Sequence, residues 1–263
     1  MKQINSLENR IGVKLFVRTN HGISLTPAGE ELYKQAKKLI AAGNAAIKSV
    51  RNIGGYKQHT IRVGTSLMRP CKMLVDLWAK LDTHKLPYQI EIVPFDDNPT
   101  GLNAMMESLG ADIDCYVGPF NSIQWLEQYS FYPLGLFKCC CAVPRNHPLA
   151  SKERLSWSDL SGENFMLIKQ GESLILDRLR KEIENNHPDI HLVDIPNIYG
   201  TSIFNECEQR GYIMETLEIW SDIHPGLVTI PVEWEYEMPY GIIYGSKPSK
   251  DFQEFISVLA AAK

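Results

Sequence analysis

Residues 26–53 constrain this chain more than any other stretch. They open Thr26-Pro27-Ala28-Gly29-Glu30-Glu31. Thr26 suits a helix N-cap, Pro27 the first helical position, and two glutamates place negative charge at the positive end of the helix dipole. Small or apolar residues then recur at Leu32, Ala36, Leu39, Gly43, Ala46, Val50 and Ile53, in alternating steps of four and three. That spacing is a heptad seam on a long helix, and Tyr33, Ile40 and Ile47 widen it. Leu32, Leu39, Ala46 and Val50 are therefore expected to pair with a second copy of the helix. The alternative is a surface helix packed on its own domain.

Charge divides the chain at the same place. Residues 1–60 hold ten Lys and Arg against three Asp and Glu, a net of +7, whereas the remainder carries −11. A basic head on an acidic body points to a polyanionic partner for the head alone. With 263 residues, 44% hydrophobic and 22% charged, the chain is expected to be cytoplasmic, with no membrane span and no signal peptide. The six cysteines, Cys71, Cys115, Cys139, Cys140, Cys141 and Cys207, lack CxxC spacing. Three of them are consecutive in an apolar run, where neighbours point to opposite faces. They are expected as reduced, mostly buried thiols, with redox sensing as the alternative.

Along the chain, Ile4, Leu7 and Ile11 form the stripe of a helix that Gly12 stops. Asn20-His21-Gly22, between two short alternating runs, signals a hairpin. Residues 54–60 read as a hinge. Beyond it, strand 61–64, helix 70–81, strand 89–93, helix 102–109 and strand 112–118 alternate as βαβ units do over a parallel sheet. A strand at 137–143, helix 174–185, strand 191–195, a helical piece over 202–212, strands 227–232 and 240–244 and a closing helix 252–261 follow.

Leu7-Glu8, Ile11-Gly12, Leu15-Phe16, Arg18 and Leu25-Thr26-Pro27-Ala28-Gly29 resemble, in residue and spacing, the N-terminal signature of LysR-type transcriptional regulators. His147-Pro148-Leu149-Ala150, Asp159-Leu160 and Phe165-Met166-Leu167-Ile168 resemble later parts of the same family. The resemblance implies an α/β chain. It would comprise a partial winged helix-turn-helix (1–26), a long linker helix for dimerisation (27–53), a hinge (54–60) and a two-lobed periplasmic-binding-protein-like effector domain (61–263). Lobe I would hold 61–141 and 244–263, and lobe II 142–243, with crossings near 142–143 and 241–243. In the family, two helices and the front of the recognition helix precede the matched stretch. The chain is therefore expected to be truncated in its DNA-binding domain, with weak, non-specific DNA binding through Lys2, Arg18 and His21. The other reading is a ligand-binding, dimerising protein with no DNA function in this form. A homodimer or homotetramer is implied.

No enzyme signature appears. There is no G-x-G-x-x-G, P-loop, HExxH or G-x-S-x-G motif, and the seven His are scattered. Asp112 and Asp114 read as turn and strand-edge residues. No catalytic residue, metal or cofactor is expected. What remains are hydroxyls at turns before helices, where αβ architecture gathers ligands. Thr65 and Ser66, with Arg69 as charge partner, would meet Ser173, Thr201 and Ser202 across an interlobe cleft. Met68, Pro119 and Phe120 would supply apolar wall. Helix N-termini favour an anion, so the expected ligand is a small organic acid.

Overall fold

The structure, a computed structural model, describes residues 2–19, 22–53, 59–196 and 199–261; within them, some side chains, including those of Lys2 and Arg18, lie outside the description. Two compact units divide the chain, Met1–Gln58 and His59–Lys263.

In the first unit, helix α1 (Lys2–Ile11) ends at Gly12, whose φ of +78° is the left-handed conformation glycine tolerates. Strands β1 (Phe16–Thr19) and β2 (Gly22–Leu25) pair antiparallel and lead into helix α2 (Pro27–Ile53). Thr26 makes the junction. Its Oγ1 accepts from Gly29 N at 3.0 Å and donates to the Lys14 carbonyl at 2.7 Å. Its N–H donates to the Leu15 carbonyl at 2.9 Å. A Cβ on Gly29 would stand 2.1 Å from that same carbonyl, so the glycine is required for close approach. Buried Glu8 closes the turn by accepting from Lys14 Nζ, Leu15 N and Phe16 N at 2.7, 2.8 and 3.2 Å. These bonds, that from Lys14 foremost, hold its carboxyl below the usual range. Further along α2, Leu39 and Val50 are 72% and 70% exposed.

The second unit begins with β3 (His59–Thr65), α3 (Lys72–Ala79), β4 (Tyr88–Pro94), α4 (Pro99–Glu107), β5 (Cys115–Pro119), the single turn α5 (Ile123–Leu126) and β6 (Tyr129–Pro144). It continues through β7 (Asn164–Ile168), α6 (Leu174–Asn186), β8 (His191–Ile195), α7 (Thr201–Arg210), β9 (Ile213–Leu217), β10 (Leu227–Pro231), β11 (Glu237–Gly245) and α8 (Lys250–Ala261). Strand order is β4-β3-β5-β11-β6-β9-β7-β8, with β10 also on β6. Each half has a parallel core, β4-β3-β5 in one and β8-β7-β9 in the other, joined by antiparallel β11 and β6. Val63, Val117, Leu74 and Phe255 fill the first half; Phe165, Leu167, Leu179 and Ile213 fill the second.

Several expectations change. Residues 59 and 60 are strand, not hinge, because they pair with Tyr88 and Gln89; residues 54–58 of the expected hinge lie outside the described residues. Strand 137–143 is part of the 16-residue β6. Its partners change at Lys138/Cys139, from β11 to β9, rather than at 142–143. The returning crossing precedes Glu237, because β11 pairs only with β5 and β6 in the first half. Cys115, not Asp112, starts β5, and Asp114 ion-pairs with Arg62 at 3.1 Å. Strand β9 was not anticipated; the helical reading of 202–212 stops at Arg210, and Gly211 at φ +68° turns the chain into it.

Candidate functional site

The turn after β3 is tied down by one acid from the loop after β4. Asp97 accepts from Ser66 Oγ at 2.6 Å, Met68 N at 2.9 Å and Arg69 Nη1 at 3.0 Å. Ser66 Oγ in turn accepts from Arg69 N at 3.1 Å, and Thr65 Oγ1 from Cys71 N at 3.3 Å. Both expected ligand donors therefore serve their own turn. The Arg69 and Asp97 side chains are only 4% and 8% exposed, and burial at that depth requires the pairing. Arg69 Nε is buried without a hydrogen-bond partner among the described residues, as are the Tyr116 and Tyr240 hydroxyls. Burial raises both phenols, and the Arg69 charge works against that rise.

Opposite stands the second half. Ser173 caps α6, accepting from Leu176 N at 3.1 Å, and its hydroxyl donates to Asn121 Oδ1 at 2.5 Å. The Ile123 N–H donates to the Glu172 carbonyl at 3.3 Å. Trp220 Nε1 donates to the Met68 carbonyl at 2.7 Å. A Cβ on Gly200 would lie 2.4 Å from the Asp97 carbonyl oxygen. These contacts hold the two lobes together around a cavity of about 60 Å³. Arg69, Pro119, Asn121 and Trp125 line it from one lobe, and Ser173, Tyr199, Glu215 and Trp220 from the other. The space is well below the roughly 300–1,000 Å³ of drug-sized ligand sites, so a ligand fitting it without lobe opening is small.

Of the residues expected at the site, Arg69 and Ser173 line this cavity; Thr65, Ser66, Thr201 and Ser202 do not. Thr201 and Ser202 are exposed on the first turn of α7, whose N-cap is Gly200. Pro119 is lining, whereas Met68 is fully buried beneath the turn. His21 lies outside the described residues, as do the side chains of Lys2 and Arg18.

Sequence reasoning missed Glu215. It is 1% exposed, accepts a hydrogen bond from the Tyr199 hydroxyl, and leaves Oε1 without a partner among the described residues. Burial pushes its carboxyl up to about 7, against opposing hydrogen bonds from Tyr199 and Cys139. The only signal was an acid among mostly apolar residues, Ile213-Met214-Glu215-Thr216-Leu217.

All six cysteines are free, and five are buried. Burial is the leading cause raising the thiols of Cys139 and Cys141, and it pushes Cys140 and Cys207 up to about 12. Such thiols are poor nucleophiles at neutral pH. Among the described residues, no cluster of His, Cys, Asp or Glu could hold a metal, and no helix is long and apolar enough to cross a membrane.

Residues 1–30 match the family described as "Bacterial regulatory helix-turn-helix protein, lysR family". The LysR-family match thus falls on the N-terminal helix, the hairpin and the start of α2. Among curated proteins, the chain is 25% identical over 178 residues to the uncharacterized HTH-type transcriptional regulator YybE of Bacillus subtilis (strain 168), covering 66% of this chain and 57% of that protein. It is 25% identical over 168 residues to the regulator CysL of the same organism, covering 64% of this chain and 54% of CysL. The chain thus spans about half the length of the curated relatives it matches. In fold it is similar to CbnR, a LysR family transcriptional regulator, with a TM-score of 0.61 at 15% identity over 99% of this chain and 88% of that one. It is also similar to hydrogen-peroxide-bound Corynebacterium glutamicum OxyR, at 0.52 and 20% identity over 99% and 82%. Both likenesses concern the fold alone.

Proposed function

We propose that this chain acts as a cytoplasmic LysR-type transcriptional regulator, one that binds DNA as an oligomer and responds to a small molecule held between the lobes of residues 59–263. The observation carrying the sensing role is the interlobe cavity lined by Arg69, whose Nε is buried with no hydrogen-bond partner among the described residues. An unpaired buried donor costs roughly 1–3 kcal/mol, and a ligand acceptor would recover that. Arg69 and Ser173 contact the ligand directly, while Ser66 and Asp97 fix the Arg69 turn. The role in assembly rests on the exposed seam of α2, and DNA contact on the basic head, with Lys2, Arg18 and His21 against phosphate. The test is a thermal-shift screen of small organic acids and amines, followed by calorimetry on Arg69→Lys. A hit that binds the variant at least tenfold more weakly supports the reading. A screen without any hit, or a hit indifferent to Arg69, sinks it.

A further inference from the structure

We propose that Glu215 is the recognition group for a protonated amine, so that the cleft takes a small zwitterion, an amino-acid-like molecule with its ammonium against Glu215 and its carboxylate toward Arg69. The inference rests on the cleft reading above and names the ligand class.

Both end groups line one cavity, from opposite lobes. On the second lobe, Glu215 Oε1 is buried with no hydrogen-bond partner among the described residues, while the carboxyl takes hydrogen bonds from Tyr199 and Cys139. The titratable groups facing Glu215 are the Tyr199 phenol, from the segment before α7, and the Cys139, Cys140 and Cys141 thiols on β6. None of these is a cation. The guanidinium of Arg69, on the other wall, is already engaged by Asp97. Among the described residues, the cavity lining therefore includes an acid lacking a countercharge and a guanidinium whose Nε–H has no acceptor.

Burying a carboxylate without a cation is strongly unfavourable, and the group then stays protonated. A ligand ammonium reverses this. It supplies the missing positive charge, so Glu215 ionises and its proton passes to solvent. A plain carboxylic acid satisfies only the Arg69 end and adds a third acid to a cavity that Glu172 and Glu215 already line. A plain amine leaves Arg69 Nε as it is. The rings of Tyr199 and Trp220, also in the lining, suit a cation near their faces.

The protein would be titrated calorimetrically with the common L-amino acids, each beside the carboxylic acid that lacks its amine. Titrations at pH 6 and pH 8 would use buffers of different ionisation enthalpy. At least one amino acid should bind tenfold or more tightly than its deaminated counterpart. It should release close to one proton at pH 6 and far less at pH 8. Glu215→Gln, nearly isosteric, should abolish the release and the preference for the amine. If Glu215→Gln misfolds, the wild-type proton release still decides. Amino acids that bind no better than plain acids, or bind without releasing a proton, overturn the zwitterion inference and leave the cleft reading standing. Absence of binding by any amino acid, acid or amine overturns both.

Discussion

Trp220 Nε1 donates to the main-chain carbonyl of Met68 at 2.7 Å, across a separation of 152 positions in the chain. The bond joins the lobe that carries Glu215 to the turn that carries Arg69, and both its partners are buried. Trp220→Phe keeps most of the apolar volume and leaves the Met68 carbonyl unsatisfied. A loss of about 1–3 kcal/mol is expected in urea denaturation. Unchanged stability would mean that the lobes part in solution and water replaces the indole.

Gly200 is where the second lobe meets the backbone of the first. Its added Cβ would lie 2.4 Å from the Asp97 carbonyl oxygen, a backbone atom that cannot simply rotate away. Gly200→Ala should hold the lobes apart, lowering ligand affinity at least tenfold and increasing the radius of gyration of the 59–263 unit in small-angle scattering. Overpacking of this sort costs about 1–3 kcal/mol. A variant with unaltered scattering and affinity would show that the interlobe contact is not maintained.

Glu215 gives the second unit a distinctive pH dependence. Its folded-state carboxyl is raised from 4.5 to about 7, so the folded protein holds this proton more tightly than the unfolded chain does. The stabilisation is complete below about pH 4.5 and is lost as pH rises through about 7. A fall of roughly 3 kcal/mol is expected across that window. Asp159, drawn down to about 2 chiefly by its Lys152 hydrogen bond, acts in the opposite sense and in a separate, more acidic window. Denaturant midpoints between pH 5 and 8 should decline for the parent and stay level for Glu215→Gln. Parallel curves for the two proteins would contradict the assignment.

Leu39 lies 72% exposed at the middle of the α2 seam. Covering such a side chain in a helix pair contributes about 1.5–3 kcal/mol. Leu39→Glu should shift the protein toward monomer in sedimentation velocity at micromolar concentration. A dimer that persists unchanged would move the main interface to the αβ lobes.

Much of this architecture is local in origin and was legible in the chain. The 27-residue α2 follows from a capped start and an uninterrupted heptad stripe; the hairpin before it follows from a turn between alternating runs. Gly29 and Thr26 stood out by spacing, and the structure supplies the reason in their contacts with Leu15 and Lys14. The alternating strands and helices of residues 59–263 were visible for the same reason, since periodicity is a property of neighbours. Strand ends were less so: His59 and Thr60 are strand only because β4 pairs with them, from 29 residues away.

The site divides along the same line. Sequence alone determined that Ser66 and Ser173 would sit at turns before helices, because turn and cap chemistry is written in adjacent residues. Tertiary structure decided which polar groups there are free. Ser66 looks available in sequence, but Asp97, 31 residues on, takes its hydroxyl. Glu215 looks like an ordinary strand acid, but it is buried beside Tyr199 and Cys139 with no cation paired to it among the described residues. Burial and hydrogen-bond satisfaction depend on atoms brought together from distant parts of the chain, so only the fold assigns them.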